Sequence, residues 1–205
     1  MNWSLVSRVA AGIVLAVLLV GSWLADGSPN MGLLKFVSAA GTTVFAAFLL
    51  WEHWAWRLSI VQMLPKVPRN IRGTWRGVLK SQWIDPQTGK QIPEKTVYLV
   101  VRQNASTVRT ALYTNESRST SSLAKVSDFD GDSILHYLYF NKPSIGVESR
   151  SRMHHGSTAL DVAGSPAKRL AGRYWTDRDS KGELVFTERS KVLVDDYEGA
   201  VALWP

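Results

Sequence analysis

The 205-residue chain contains no cysteine, and this absence removes several classes of protein at once. Disulfide scaffolds, thiolate zinc sites and cysteine nucleophiles all need the missing thiol. Histidine is scarce as well: of four in the chain, His154 and His155 are adjacent and would point to opposite faces of a strand, so no zinc site is expected. Charged residues make up 20% of the chain and hydrophobic residues 45%, which excludes disorder, collagen and coiled coil.

The signatures of common enzymes are missing too. The chain has no G-x-S-x-G motif, no Walker loop and no G-x-G-x-x-G motif. The segment Asp128–Asp132 is similar to a calcium loop, but its glycine comes two positions early and the glutamate at position 12 is missing. A hairpin turn explains this segment better. We therefore expect a binding protein rather than an enzyme, without a metal or cofactor.

Two uncharged hydrophobic runs lie near the N-terminus. They cover residues 9–25 and 36–51, with 17 and 16 residues. Each is near the lower end of the roughly 17–25 residues that a membrane-spanning helix needs. Tryptophans flank both runs, and indole rings favour the headgroup layer of a bilayer. The sequence predicts a transmembrane helical hairpin over residues 5–56 that turns at Asp26–Asn30, rather than a cleaved signal peptide.

Basic residues determine the expected orientation of this hairpin. The turn region contains Lys35 alone, whereas six lysines and arginines follow the second run between positions 57 and 80. The positive-inside rule then places both termini, and the bulk of the protein, in the cytoplasm.

Small residues recur at four-residue spacing along both runs, and this spacing forms a flat stripe that another backbone can approach. They are Gly12 and Ala16 in the first run and Ala39, Thr43 and Ala47 in the second. The stripe either packs the two helices against each other or assembles several hairpins.

Residues 69–205 are predicted to form an all-β domain, joined to the hairpin by a linker over residues 57–68. Lys66–Pro205 contains 21 Lys and Arg against 15 Asp and Glu, a net charge of +6. Eight β-rich runs are separated by turn residues, and this even spacing predicts a closed antiparallel barrel with room for packed side chains or one small ligand. The runs are 72–83, 95–102, 106–115, 118–126, 133–140, 152–162, 168–176 and 183–194.

A hydroxyl-rich segment, Ser117–Ser122, lies in the fourth run. Residues 117, 119 and 121 would project from one face, so three hydroxyls would line up there. Hydroxyls and arginines suit phosphate oxygens, and the rings of Tyr113, Tyr139 and Tyr174 suit the faces of nucleobases. The alternative is a solvated edge strand, which composition alone favours.

Several patterns, taken in their order along the chain, carry a resemblance to a known family. They are Arg72–Gly77, Ser81-x-Trp83, Ser117–Ser122, Tyr137–Pro143, His155-Gly156, and Leu170–Arg178 with Gly182. In these patterns the chain resembles the STING-like transmembrane β-barrel effectors of bacterial cyclic-oligonucleotide anti-phage systems (CBASS). The resemblance implies two N-terminal spans followed by an eight-stranded, lipocalin-like barrel. It also implies binding of a cyclic dinucleotide made by a partner CD-NTase, after which the hairpins gather, disrupt the inner membrane and stop growth.

Residue type and strand alternation suggest candidate ligand contacts within this resemblance. The candidates are Ser119, Ser121 and either Arg152 or Arg178 for phosphate, Tyr139 and Tyr174 for base stacking, and Asn141 and Thr176 for base edges. Trp75 is instead expected to plug one end of the barrel.

Two other functions stay open. Gly73-x-Trp75 is also similar to a motif of lipocalins and fatty-acid-binding barrels, so the chain could be a membrane-tethered lipid-binding or carrier module. A lipid carrier needs a largely apolar lumen, whereas a cyclic-nucleotide receptor needs inward hydroxyls, arginines and tyrosines. A filled barrel would favour a structural subunit of a membrane complex.

Overall fold

The computed structural model describes residues 3–24, 32–64, 66–84, 89–129, 131–148 and 151–205. The chain divides into two compact units, Met1–Trp56 and Arg57–Pro205. The predicted turn at Asp26–Asn30 lies outside the described residues, as does Asp130 of the calcium-like segment.

The first unit consists of two helices of 22 residues, α1 (Trp3–Leu24) and α2 (Gly32–His53). The two helices contact each other, and Ala40 of α2 is fully buried. Four of the five small stripe residues are exposed in this single chain, Ala47 being half-buried. The structure therefore does not use the stripe to pack α1 against α2.

Within the described residues, no helix is both long enough and apolar enough to cross a membrane. The helical part of the hairpin prediction is confirmed, and its membrane-spanning part is not.

The second unit contains a closed barrel in which every strand pairs antiparallel with its neighbours in sequence and the eighth pairs with the first. The strands are β1 (Gly73–Ser81), β2 (Lys95–Gln103), β3 (Val108–Tyr113), β4 (Ser117–Phe129), β5 (Asp132–Pro143), β6 (His154–Ala163), β7 (Arg169–Thr176) and β8 (Lys181–Ser190). A short helix, α3 (Tyr197–Val201), follows. The predicted closed eight-stranded antiparallel barrel is confirmed.

Most of the strand ends differ from the predicted runs by one to four residues. The fifth run was predicted to end at residue 140, but β5 continues to Pro143. The last run was predicted to extend to residue 194, but β8 ends at Ser190. The apolar residues that follow do not continue the strand, because Leu193 and Val194 pack against the outer face of β2 and β3.

The C-terminal segment covers this outer face through aromatic and polar contacts. Trp204 stacks on Tyr98 with ring centroids 5.8 Å apart. The Tyr113 hydroxyl donates to the Asp195 carbonyl oxygen at 2.7 Å, and Arg102 donates to the Asp195 carboxylate at 2.6 Å. These contacts explain why β2 is apolar on both faces: one face lines the lumen and the other lies under the C-terminal segment.

The lower end of the barrel, where β1, β3, β5 and β7 begin, is plugged by Trp75. Its ring is fully buried, and its indole N–H donates to the Ile71 carbonyl oxygen at 2.9 Å. The Arg189 guanidinium lies 5.1 Å from the ring centroid and donates to the Arg72 carbonyl oxygen at 2.7 Å. The plugging role predicted for Trp75 is confirmed, and a ligand would have to enter from the opposite, upper end.

Candidate ligand-binding site

The inward-facing side chains change from apolar to polar along the barrel axis. The lower half is filled by fully buried side chains, among them Leu99, Leu170 and Phe186 beside Trp75. Towards the upper end the inward positions carry hydroxyl, amide, imidazole and phenol groups. We call this group the upper lumen; it consists of Ser119, Tyr137, Tyr139, Asn141, His154, Thr158 and Tyr174, all buried.

Three polar residues on neighbouring strands form the topmost row of the upper lumen. Ser119, Asn141 and His154 are register partners across β4, β5 and β6. The Ser119 hydroxyl donates to the Asn141 side-chain oxygen at 2.8 Å, and the Asn141 amide nitrogen lies 3.5 Å from His154 Nδ1. Burial lowers the pKa of the His154 imidazole, so it is neutral at pH 7. The row can therefore offer neutral donors and acceptors to a ligand.

The next row holds the Tyr139 ring against the barrel wall. Tyr139 pairs with Gly156 of β6, and a Cβ on Gly156 would overlap Cζ and Oη of the Tyr139 ring. Only glycine leaves room for the ring at this position. Burial raises the pKa of the Tyr139 hydroxyl, so it stays protonated.

Tyr174 is placed in the same way on the other side of the lumen. It pairs with Gly182 of β8, and a Cβ on Gly182 would lie 2.8 Å from Cε1 of the Tyr174 ring. Burial raises the pKa of the Tyr174 hydroxyl, while the Ser81 hydroxyl acts in the opposite direction. Two tyrosines therefore face the upper lumen, each beside a glycine on the neighbouring strand.

The Tyr137 and Thr158 hydroxyls lie in the row of Tyr174. Thr158 is the register partner of Tyr137 on one side and of Tyr174 on the other. The Tyr137 and Thr158 side chains are 4% and 3% exposed, and neither hydroxyl makes a hydrogen bond of acceptable geometry. Burial raises the pKa of Tyr137 to about 12, while the nearby Thr158 hydroxyl acts in the opposite direction. This row is the one part of the described upper lumen with unused buried hydroxyls.

Positive charge reaches the rim of the upper lumen through the turn between β7 and β8. The Arg178 guanidinium is exposed and lies 3.5 Å from the Ser151 hydroxyl. Its charge acts on the pKa values of Tyr139, Tyr174 and His154, which places it within electrostatic reach of all three. Asp177 lies next to it and accepts a hydrogen bond from the His155 backbone N–H at 3.0 Å.

Five of the eight residues proposed from the sequence are brought together here. They are Ser119, Asn141, Tyr139 and Tyr174 in the upper lumen, with Arg178 at its rim. Arg152 is exposed in the segment between β5 and β6, and its carbonyl oxygen lies 3.0 Å from His154 Nδ1. Its side chain makes none of the upper-lumen contacts described above.

The other two proposed residues have hydroxyls that the barrel itself uses. The Ser121 hydroxyl accepts the Thr110 backbone N–H at 2.8 Å, where a β-bulge follows in β4. The Thr176 hydroxyl lies 2.8 Å from the Ser180 hydroxyl and accepts backbone N–H groups in the β7–β8 turn. Ser121 therefore completes the wall between β3 and β4, and Thr176 stabilises a turn. Tyr113, also suggested for base stacking, faces outwards instead.

Sequence reasoning missed Tyr137, Thr158 and His154. Tyr137 was detectable, since it lies two residues before Tyr139 and so on the same face of β5. His154 and His155 do alternate as expected, with His154 buried and His155 exposed. Thr158 carried no signal of its own, because a threonine in a strand is common.

Two clefts lie at the surface of the barrel. One, of about 310 Å³, is at the upper rim between the β3–β4 turn and the C-terminal segment, where Arg118 and Lys142 face Asp195 and Asp196. The other, of about 330 Å³, lies along β4 to β7 beside the exposed side chains of Leu123, Leu138 and Trp175. The first cleft mixes both signs of charge, as the rim of the upper lumen does with Arg178 and Asp177. In the described part of the chain, no cluster of three or more acidic or histidine side chains could hold a metal ion.

A closed barrel that is plugged at one end and polar and tyrosine-lined at the other has the architecture of a small-molecule-binding barrel. Residues 65–188 match the family described as Cap15, cyclic dinucleotide receptor domain, and this match covers more than half of the chain. The chain therefore belongs to the Cap15 family of CBASS effectors. It is 25% identical over 155 residues to CD-NTase-associated protein 15 of Staphylococcus schleiferi, covering 76% of this chain and 80% of that protein. The family resemblance seen in the sequence is confirmed.

Proposed function

We propose that this chain is a CBASS effector whose barrel binds a cyclic dinucleotide in the upper lumen. The observation that carries the proposal is the cluster of Ser119, Asn141, His154 and two glycine-backed tyrosines, in a chain of the Cap15 family. Neutral hydroxyl, amide and imidazole groups suit the edges of a base, and tyrosine rings suit its faces. The chain acts by binding rather than by catalysis.

Arg178 supplies the charge that the phosphates need. Its guanidinium is at the rim, within reach of the Ser151 hydroxyl, and a guanidinium can bind a phosphate through two parallel hydrogen bonds. Arg152, in the neighbouring segment, can approach the same anion once the ligand is in place. Bases thus enter the lumen, and the two phosphates stay near the rim.

Binding requires the tyrosine rings to move. Tyr139 and Tyr174 are 8% and 7% exposed, so a base can reach the upper lumen only after at least one ring has rotated away. Such rotation frees a ring face on which the base can stack. The ligand is then held by an opened form of the barrel, which is a change that can be passed on to other parts of the protein.

The change from apolar side chains in the lower half of the lumen to polar side chains in the upper half argues against the lipid-carrier alternative. A fatty acid needs a long apolar channel, yet the apolar half of this barrel is filled by the side chains of Trp75, Leu99, Leu170 and Phe186. The part nearest the open end carries hydroxyl, amide and imidazole groups instead. Desolvating those groups against an alkyl chain would be unfavourable.

The membrane part of the proposal rests on the sequence. Residues 5–56 form a hairpin in the inner membrane, with the barrel and both termini in the cytoplasm, where a CD-NTase would make the ligand. The uncharged runs, their flanking tryptophans and the basic residues between 57 and 80 support this arrangement. Ligand-bound chains then self-associate through the hairpins and disrupt the membrane; the exposed stripe of small residues supports this step.

Titration of the full chain in detergent with a panel of cyclic dinucleotides tests the receptor function. We expect saturable binding of at least one of them, a rise in melting temperature, and much weaker binding of the corresponding linear dinucleotide. A fluorescent fatty acid provides the matched test of the carrier alternative. Binding of the fatty acid, with no response to any cyclic dinucleotide, would refute the proposal.

The membrane function needs a separate experiment. The full chain is reconstituted in vesicles of bacterial lipid that contain a self-quenched dye, and dye release is recorded with and without the ligand that binds. We expect release only with ligand, together with larger crosslinked species. Ligand binding without release or crosslinking would limit the function to the barrel.

A further inference from the structure

The Tyr137 and Thr158 hydroxyls have no assigned role in the fold. Both residues face the lumen as register partners on β5 and β6, and both are more than nine-tenths buried. Neither hydroxyl makes a hydrogen bond of acceptable geometry with the described protein atoms. Burying a hydroxyl without a partner is unfavourable, and folded proteins avoid it unless the group is used elsewhere.

A hydrogen bond between the two hydroxyls would not use both of their donors. Two hydroxyls carry two O–H donors. The Thr158 hydroxyl lies close enough to the Tyr137 phenol to act on its pKa, and a bond between them would use one donor and leave the other O–H unused within the pair. The Tyr137 phenol is fully protonated at neutral pH because burial raises its pKa to about 12. The pair therefore keeps at least one donor that its two members do not use between themselves.

The position of this pair indicates what it can reach. Tyr137 lies 5.9 Å from the Tyr139 ring, centroid to centroid, and Thr158 is the register partner of Tyr174. The next inward row below contains Leu135 and Leu160, which are fully buried and apolar. The two hydroxyls are consequently the last polar groups above the Leu135 and Leu160 row on β5 and β6, one inward position below Tyr139 and level with Tyr174.

We propose that the Tyr137 and Thr158 hydroxyls form a base-recognition pair that donates a hydrogen bond to an acceptor on the edge of an inserted nucleobase. The proposal rests on the proposed cyclic-dinucleotide function. The acceptor is a carbonyl oxygen or a ring nitrogen, since these are the acceptors that a base presents at its edge. The pair favours bases with such an atom at their leading edge, and it is a determinant of ligand specificity rather than of phosphate binding.

Tyr137→Phe and Thr158→Val remove one hydroxyl each and keep the shape of the side chain. Tyr113→Phe is the matched control, because its hydroxyl bonds the Asp195 carbonyl oxygen on the outer face. We expect the first two variants of the full chain to keep or raise the melting temperature. Their affinity for the tightest cyclic dinucleotide should fall about tenfold, as expected for one lost hydrogen bond. The control should lose stability and keep its affinity.

Base-modified ligands add a measurement that would not change if the two hydroxyls had only a structural role. An analogue in which the acceptor nitrogen or oxygen is replaced should bind the wild type weakly, and it should bind the double variant about as well as the unmodified ligand does. Unchanged affinity in both single variants would overturn the inference, as would a loss of several degrees in melting temperature, which would mean that the hydroxyls are already bonded in the free protein. If the wild type binds no cyclic dinucleotide at all, the proposed function itself fails.

Discussion

Replacing Gly156 by alanine adds a single methyl group beneath the Tyr139 ring, and it tests how the upper lumen is built. A Cβ at this position would overlap Cζ and Oη of Tyr139 and would lie 2.6 Å from the Trp175 carbonyl oxygen. The ring is the end of a side chain and can rotate away. The carbonyl belongs to the strand that pairs with Gly156, so it can move only if the β6–β7 ladder shifts.

The size of the effect follows from these distances. Ordinary contact begins at 3.4 Å, so the Trp175 carbonyl oxygen must retreat by about 0.8 Å while Tyr139 leaves its place. Overpacking of this kind costs about 1–3 kcal/mol of unfolding free energy. For a domain of this size each kcal/mol lowers the melting temperature by about 2–4 °C, so a fall of roughly 2–12 °C is expected.

The assay is thermal unfolding of the full chain in detergent, followed by tryptophan fluorescence, with ligand titration on the same samples. Gly146→Ala is the control, because a Cβ there meets nothing within 4 Å. We expect the control to stay within about 0.5 kcal/mol of wild type. Gly156→Ala should also bind ligand about tenfold more weakly, because the added methyl group occupies part of the space that a base and the rotated Tyr139 ring must share. A Gly156→Ala chain with wild-type stability and affinity would show that Tyr139 does not lie as described.

Three further predictions follow from the plug and the rim. Arg189→Met should lower stability by about 2 kcal/mol, because it removes the cation above Trp75 and leaves carbonyl oxygens without a donor; denaturant unfolding measures this. Arg178→Gln should weaken ligand binding several-fold and flatten its salt dependence, whereas Arg173→Gln, at an exposed position of β7, should change neither. Burial lowers the pKa of His154 below 6.5, so the unfolded chain takes up the proton first; stability should fall as the pH drops below 6.5, and less so in His154→Gln.

The number and order of the strands could be predicted from the sequence because each strand is short and ends at turn residues. Alternation did not reveal which face of β2 lines the lumen, since Tyr98 and Val100 are as apolar as Val97 and Leu99. The reason lies about 100 residues away, where Trp204 stacks on Tyr98 and turns the outer face into a second core. A contact between segments so far apart leaves no local pattern. Leu193 and Val194 pack on the same outer face, which is why the predicted end of β8 was wrong.

The candidate site was predictable where a residue type and a strand face were enough. Ser119 and Asn141 lie on paired strands and point inwards, so alternation was sufficient for them. Ser121 has the same parity as Ser119, but its hydroxyl completes the ladder to Thr110 beside a bulge. Bulges depend on the pairing of two strands and cannot be read from one of them. For this reason Ser121→Ala is a poor test of ligand contact, because it also leaves the buried Thr110 N–H unpaired.

The lower half of the barrel stabilises the fold, whereas buried hydroxyls in the upper half cost free energy when no ligand is bound. This difference explains how an energetically unfavourable site persists. In the lower half, Trp75 has a bonded indole N–H, a cation over its ring and fully buried neighbours, which stabilise the fold and outweigh the one buried Arg189 nitrogen, Nε, that makes no hydrogen bond. In the upper half, Tyr137 and Thr158 keep buried hydroxyls unused, which costs free energy in the unliganded chain. A ligand that accepts a hydrogen bond from those hydroxyls removes this cost. The stability of the lower half therefore maintains a site whose hydrogen bonds are complete only when a ligand is bound. Substitutions that remove the unused hydroxyls of the upper half should therefore both stabilise the free barrel and weaken ligand binding. Substitutions in the lower half should mainly lower the stability of the fold.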